Sequence, residues 1–140
     1  ARAKQAKQRF GAEIARPDQI LFEPCDVLAP CAIGGVISSE NVLALGCRII
    51  AGSANNTLED SVVAGELQDN GIVYVPDYIS SAGALIMGVT ELVKGKKAKP
   101  ELVDRVYDTT LDVLKLAARR NITPLGAAEV MAARALKKLD

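Results

Sequence analysis

Apolar residues in this chain gather into three short runs and a long helical remainder, punctuated by Gly, Pro, Ser and Asn. The runs at 25–29, 47–51 and 72–75 are mostly apolar and short, the pattern of strands buried in a parallel sheet rather than of alternating, half-exposed ones. Pro30 closes the first, Gly46 precedes the second and Pro76 stops the third. Between them, Ser38 or Ser39 is placed to cap a helix over 38–45 with Val42 and Leu45 on one face. Thr57-Leu-Glu-Asp60 has the form of a capping box, with Asp at its last position, and opens a predicted helix over 57–69 that Asn70-Gly71 ends. Strands alternating with helices at this spacing predict right-handed crossovers and a parallel sheet, so the fold class is α/β.

The flanks read as helical. Residues 1–10 form a basic helix in which Arg2, Lys4, Lys7 and Arg9 make a solvated face rather than an anion site, and Gly11 is its C-cap. The helix has no initiating Met and reads as starting in mid-element, as a piece of a longer chain would. A short strand is expected at 12–14, a turn at Arg16-Pro17-Asp18 and a helical turn at 20–22. An apolar helix starts at Ser80 or Ser81 and reaches 93, and the lysine-rich stretch 94–100 is a solvated linker. A helix over 100–120 carries Leu102, Val106, Val113 and Ala117 at helical spacing, with Lys115, Arg119 and Arg120 near its C-terminal end. The last helix, 124–139, is expected to turn Leu125, Ala128, Ala132, Ala135 and Leu139 inward.

Composition narrows the chemistry. Among 140 residues, 17 Lys and Arg balance 17 Asp and Glu, and aromatic residues are 4%. That leaves neither a field nor stacking platforms for nucleic acid. Histidine is absent, so neither a Ser-His-Asp nor a Cys-His arrangement can be completed within the chain, and the commonest zinc ligand is missing. Cys25, Cys31 and Cys47 are odd in number and lack the CxxC spacing, which fits reduced thiols in the cytoplasm better than disulfides or a metal site. No run approaches the ~18 apolar residues of a membrane span. Neither a membrane nor a nucleic-acid partner is expected.

In open α/β sheets, ligands bind outside the carboxyl ends of the strands. Those ends here are Ala29-Pro-Cys-Ala-Ile-Gly-Gly35, Ala51-Gly-Ser-Ala-Asn-Asn56 and Pro76-Asp-Tyr78, rich in small residues that let a ligand approach the backbone. Two adjacent amides, Asn55 and Asn56, can donate and accept together, as holding a carboxamide or carboxylate requires. They serve equally well as a turn and helix cap, and both readings stand. Asn55-Asn56-Thr57 also matches the glycosylation pattern, here an accidental match. Cys31 has no His to activate it and reads as a small residue lining the crevice. Asp77 suits either acid/base work or capping of the next helix.

Taken in order, Asp26-Val-Leu-Ala-Pro-Cys-Ala-Ile-Gly-Gly-Val36, Ile50-Ala-Gly-Ser-Ala-Asn-Asn56 and Gly71-Ile-Val-Tyr-Val-Pro-Asp-Tyr78, followed by Ala82-Gly83, resemble the C-terminal part of the glutamate/leucine/phenylalanine/valine dehydrogenases. The leucine/phenylalanine/valine branch fits best, through Gly52-Ser-Ala-Asn-Asn56. The resemblance implies the second half of a Rossmann-like dinucleotide-binding domain over 1–95, with helices over 96–140 packed on it and the catalytic domain outside this chain. It implies a cytoplasmic oxidoreductase that converts L-amino acids to 2-oxo acids and ammonia and is a homo-oligomer when intact. The implied cofactor is NAD, with NADP the alternative, because the selecting acidic residue precedes the position that matches residue 1. By the same resemblance Pro30, Cys31, Ala32, Asn55 and Asn56 line the cofactor, while Asn55, Leu85 and Gly88 line the substrate pocket. No catalytic residue or metal ligand is expected within the chain. Ser81-Ala-Gly-Ala84 stands where the family has Asn-Ala-Gly-Gly, and Met87 where it has a polar residue. These departures motivate two other readings, a binding or assembly module and a biosynthetic reaction of 2-oxo acids.

Overall fold

The structure, a computed structural model, describes residues 2–137. Its centre is a parallel three-stranded sheet, β1 (Val27–Leu28), β2 (Ile49–Ile50) and β3 (Val73–Tyr74), in the order β1-β2-β3. Register aligns Val27 with Ile49 and Val73, and Leu28 with Ile50 and Tyr74. The paired segments lie inside the three predicted runs. All three strands are parallel, so their carboxyl ends emerge along one edge of the sheet.

Around the sheet lie the exposed helix α1 (Arg2–Phe10), α2 (Val63–Asp69), α3 (Asp77–Ser80), α4 (Ala82–Lys94), α5 (Arg105–Arg120) and α6 (Pro124–Leu136). Leu28, Ile50 and Tyr74 join Ile37, Val42, Val63, Leu67 and Ile72 in the main core. Ile37, Ile50 and Leu67 are fully buried, each side chain contributing about 1.5–3 kcal/mol relative to exposure. A second cluster packs Ile79 of α3 against Val113 and Ala117 of α5 and Ala127 and Ala128 of α6. The C-terminal helices thus buttress the segment that leaves β3.

Several expectations are corrected. Within the described residues the strands are covered on one face, with Val27, Ile49 and Val73 of the other face 50%, 36% and 40% exposed. Residues 12–14 form no strand, for they are exposed and no neighbouring strand pairs with them. The helix at 38–45 is a single 3-10 turn, Val42–Ala44. There the Asn41 side chain donates to the Val36 carbonyl (2.9 Å) and accepts from the Ser38 N–H (3.0 Å), holding a compact turn. Thr57 caps nothing, because a parallel bridge between Ile37 and Leu58 draws this segment into extended pairing. The helix begins later, at Val63, after Asp60 accepts from the Val62 N–H.

Farther along, the apolar helix expected from Ser80 or Ser81 is found as α4, which follows Ser81 and runs to Lys94, and the short α3 (Asp77–Ser80) precedes it as an unexpected extra turn. Residues 100–120 divide into a 3-10 turn, Pro100–Leu102, and α5. In α6, Ala127 and Ala128 face the core and Leu125 is half-buried, whereas Ala132 and Ala135 are exposed because the partner α5 meets only the first part of the helix. Leu139 lies outside the described residues.

Candidate functional site

The carboxyl ends of the strands are knitted into one assembly by backbone contacts. After β1, the Pro30 carbonyl accepts from the Ala54 N–H (2.9 Å), tying the first loop to the second. Farther along the same loops, the Gly35 N–H donates to the Asn56 carbonyl (2.7 Å) and the Ile37 N–H to the Thr57 carbonyl (3.2 Å). Thr57 is buried, its hydroxyl donating to the Ala54 carbonyl at 3.0 Å.

Two glycines permit this closeness. A Cβ at Gly52 would collide with the Pro30 backbone, its carbon and nitrogen both at 2.7 Å. A Cβ at Gly34 would lie 2.7 Å from the Asn56 carbonyl oxygen and collide with that of Asn55. The sequence pattern marked both as small; the reason, backbone packed on backbone, required coordinates.

The end of β3 secures the same loop from the other side. Asp77 is buried, and its Oδ2 accepts from the Asn56 N–H at 2.6 Å while its Oδ1 accepts from the Tyr74 hydroxyl at 2.8 Å. Burial, reinforced by the hydrogen bond to Asp77, pushes the Tyr74 phenol well above its usual range. Ser80 donates its hydroxyl to the Gly52 carbonyl at 2.6 Å. Asn56 has φ +51°, the left-handed region that Asn tolerates better than most residues. Both sequence readings of Asp77 are therefore revised: it is the first residue of α3, and its carboxylate reaches back to the Asn loop instead of capping the helix or standing free. The sequence marked Tyr74 only as part of a strand and Ser80 only as a helix start; their bonds to Asp77 and to the Gly52 carbonyl were not foreseen.

Pro30, Cys31, Asn55 and Asn56 are therefore brought together. Pro30 is buried, and Cys31 and both asparagines are exposed. The Asn55 side-chain amide has no intramolecular hydrogen bond among the described residues, so its donors and acceptor are free for a ligand. Hydrogen bonding with Ser53 lowers the Cys31 thiol from its ordinary range. Ala32 is exposed on the same loop. Leu85 and Gly88 lie elsewhere, on α4, both exposed, with open space where a Gly88 side chain would project. The Ser81 hydroxyl donates to the Asp77 carbonyl at 2.6 Å and is thus occupied within its own turn. Chemically, the assembly presents a fixed edge of backbone, a thiol and an unpaired carboxamide.

Residues 2–139 match the family model described as Glutamate/Leucine/Phenylalanine/Valine dehydrogenase. Leucine dehydrogenase of Thermoactinomyces intermedius is 40% identical over 131 residues, covering 93% of this chain and 36% of the relative. L-tryptophan dehydrogenase of Nostoc punctiforme (strain ATCC 29133 / PCC 73102) is 37% identical over 134 residues, covering 94% of this chain and 38% of the relative. Among solved structures, the crystal structure of L-tryptophan dehydrogenase from Nostoc punctiforme superposes with a TM-score of 0.91 at 35% identity, over 97% of this chain and 41% of that one. The chain thus spans under half the length of these relatives.

Proposed function

Since the chain belongs to the glutamate/leucine/phenylalanine/valine dehydrogenase family, we propose that it is the nicotinamide-side part of an NAD(P)-dependent enzyme that oxidises an L-amino acid to its 2-oxo acid. The observation that carries this reading is the free Asn55 amide on a loop clamped to both neighbouring strand ends. A carboxamide there complements the carboxamide of a nicotinamide, donor to acceptor and acceptor to donor. Pro30, Cys31 and Ala32 would lie along the cofactor, with Asn56 completing the rim. When bound, the cofactor accepts a hydride from the substrate carbon. The chain's own task is to hold the reacting partners at contact distance, the geometry on which such a transfer depends.

In this reading residues 1–95 supply half of a nucleotide-binding domain and 96–140 its helical buttress. Proton transfer and the choice between NAD and NADP belong to residues elsewhere in the polypeptide. Leu85 and Gly88 would face the substrate side chain, and Ser81, occupied by the Asp77 carbonyl, adds no polar group. An L-amino acid with an apolar side chain is the corresponding substrate class. Exposed Val89, Leu92 and Val93 on α4 support burial against the rest of the enzyme or a second copy, as in a homo-oligomer, and the enzyme is proposed to act in the cytoplasm. The relatives, leucine and L-tryptophan dehydrogenases, favour a dehydrogenase over an assembly module or a biosynthetic enzyme.

The test is a panel of L-amino acids with NAD and with NADP, followed by dinucleotide reduction in the full-length protein and its Asn55→Ala variant. Activity on apolar substrates that falls in the variant is expected. Unchanged kinetics in Asn55→Ala would remove Asn55 from the site.

A further inference from the structure

We propose that Asp77 is a positioning residue, which aims the Asn55 amide by holding the backbone of Asn56. The inference rests on the placement of Asn55 at the cofactor proposed above.

Asn55 is exposed and has no side-chain partner among the described residues, so its direction depends on the backbone on either side. On one side, the Ala54 N–H is held by the Pro30 carbonyl at 2.9 Å. On the other, the Asn56 carbonyl accepts from Gly35 at 2.7 Å and the Asn56 N–H donates to Asp77 at 2.6 Å. Asn56 is also in the left-handed region, φ +51°, so releasing this N–H would let the residue relax toward commoner backbone conformations. A carboxylate is well suited to prevent that, since hydrogen bonds to an ionised acceptor are stronger than neutral ones.

The Asp77 side chain serves the loop and not its own helix. The Ile79 and Ser80 N–H groups donate to the Pro76 carbonyl, at 2.9 and 3.1 Å, leaving the carboxylate free to bridge 21 residues back along the chain. Its second oxygen is taken by the Tyr74 hydroxyl, and Tyr74 is 3% exposed within the core strand β3. The backbone N–H of Asp77 closes the arrangement by donating to the Tyr74 oxygen at 3.2 Å. Asp77 therefore couples a rigid strand to the loop that carries Asn55.

The test is a double-mutant cycle in the full-length enzyme, read as kcat, KM and dinucleotide affinity per folded active site. Asp77→Ala is expected to lower kcat/KM by about tenfold or more, the scale of a small misplacement of a reacting group. The same loss is expected for Asn55→Ala, and the double variant should lose no more than Asn55→Ala alone, since both changes act through one amide. Asp77→Asn retains an acceptor for the Asn56 N–H and should recover most of the loss. Losses that multiply, or full kcat/KM per folded site in Asp77→Ala while Asn55→Ala is impaired, would overturn the positioning role and leave the Asn55 assignment intact. An unimpaired Asn55→Ala would instead overturn that assignment and this inference together. Should Asp77→Ala fail to fold, Asp77→Ser, whose side chain is one bond shorter than the carboxylate that accepts from the Asn56 N–H, enters the same cycle with the same criteria.

Discussion

Replacing Gly34 by Ala tests whether the first two crossover loops are packed backbone against backbone. The added methyl would sit 2.7 Å from the Asn56 carbonyl oxygen and closer still to that of Asn55. Ordinary carbon–oxygen contacts lie near ~3.3 Å, so relieving the Asn56 contact alone parts the loops by about 0.6 Å, and the Asn55 contact demands more. The neighbouring bond from the Gly35 N–H to the Asn56 carbonyl, now 2.7 Å, would stretch past the ~3.2 Å limit of a good N–H···O bond. Losing it costs about 0.5–1.5 kcal/mol and the residual overpacking about 1–3 kcal/mol, roughly 1.5–4.5 kcal/mol together. Because Asn55 moves with the loop, kcat/KM should also fall by about tenfold. Gly65→Ala is the control: it lies in α2 with nothing within 4 Å of the added methyl, and should stabilise by about 0.5–1 kcal/mol. Denaturant unfolding and steady-state kinetics of the full-length protein measure both variants. A Gly34→Ala protein as stable and as active as its parent would refute the close packing of these loops.

Three further predictions probe the neighbourhood. Hydrogen bonding with Ser53 lowers the Cys31 thiol while burial raises that of Cys47, so limiting iodoacetamide should label Cys31 before Cys47; peptide mass spectrometry showing the reverse order would contradict the assigned environments. Tyr74 holds its proton more tightly when folded than the ordinary phenol value of about 10. The unfolded chain therefore ionises first, and native stability contributed by Tyr74 is lost as pH rises above about 10. Tyr74→Phe should flatten this alkaline decline in urea unfolding, and an unchanged slope would argue against the buried phenol. Gly88→Val, entering open space, should leave folding intact but cut kcat/KM for the largest apolar substrates by about tenfold relative to small ones; an unchanged ratio would place Gly88 outside the pocket.

The Pro30–Gly35 and Gly52–Asn56 segments could be placed at the strand ends from the sequence, because they follow the apolar runs directly and their small residues stand out locally. The identity of their partners could not be read there. Asp77 and Asn56 are 21 residues apart, and no local pattern distinguishes a carboxylate that caps its own helix from one that holds another loop. The helix misjudged at Thr57 shows the same competition: its capping signature is local, and the bridge from Ile37 to Leu58 that overrides it is not.

By itself the sequence determined the strand positions, the parallel α/β arrangement and the family, because short apolar runs, turn residues and motif order are properties of neighbouring residues. Only the tertiary structure decided which face of the sheet is covered, where α2 begins, which part of α6 is buried, and that Asp77 and Tyr74 stand behind the asparagine pair. Each of these depends on distant groups competing for the same hydrogen bond or apolar surface, and that competition is resolved only when the chain is packed.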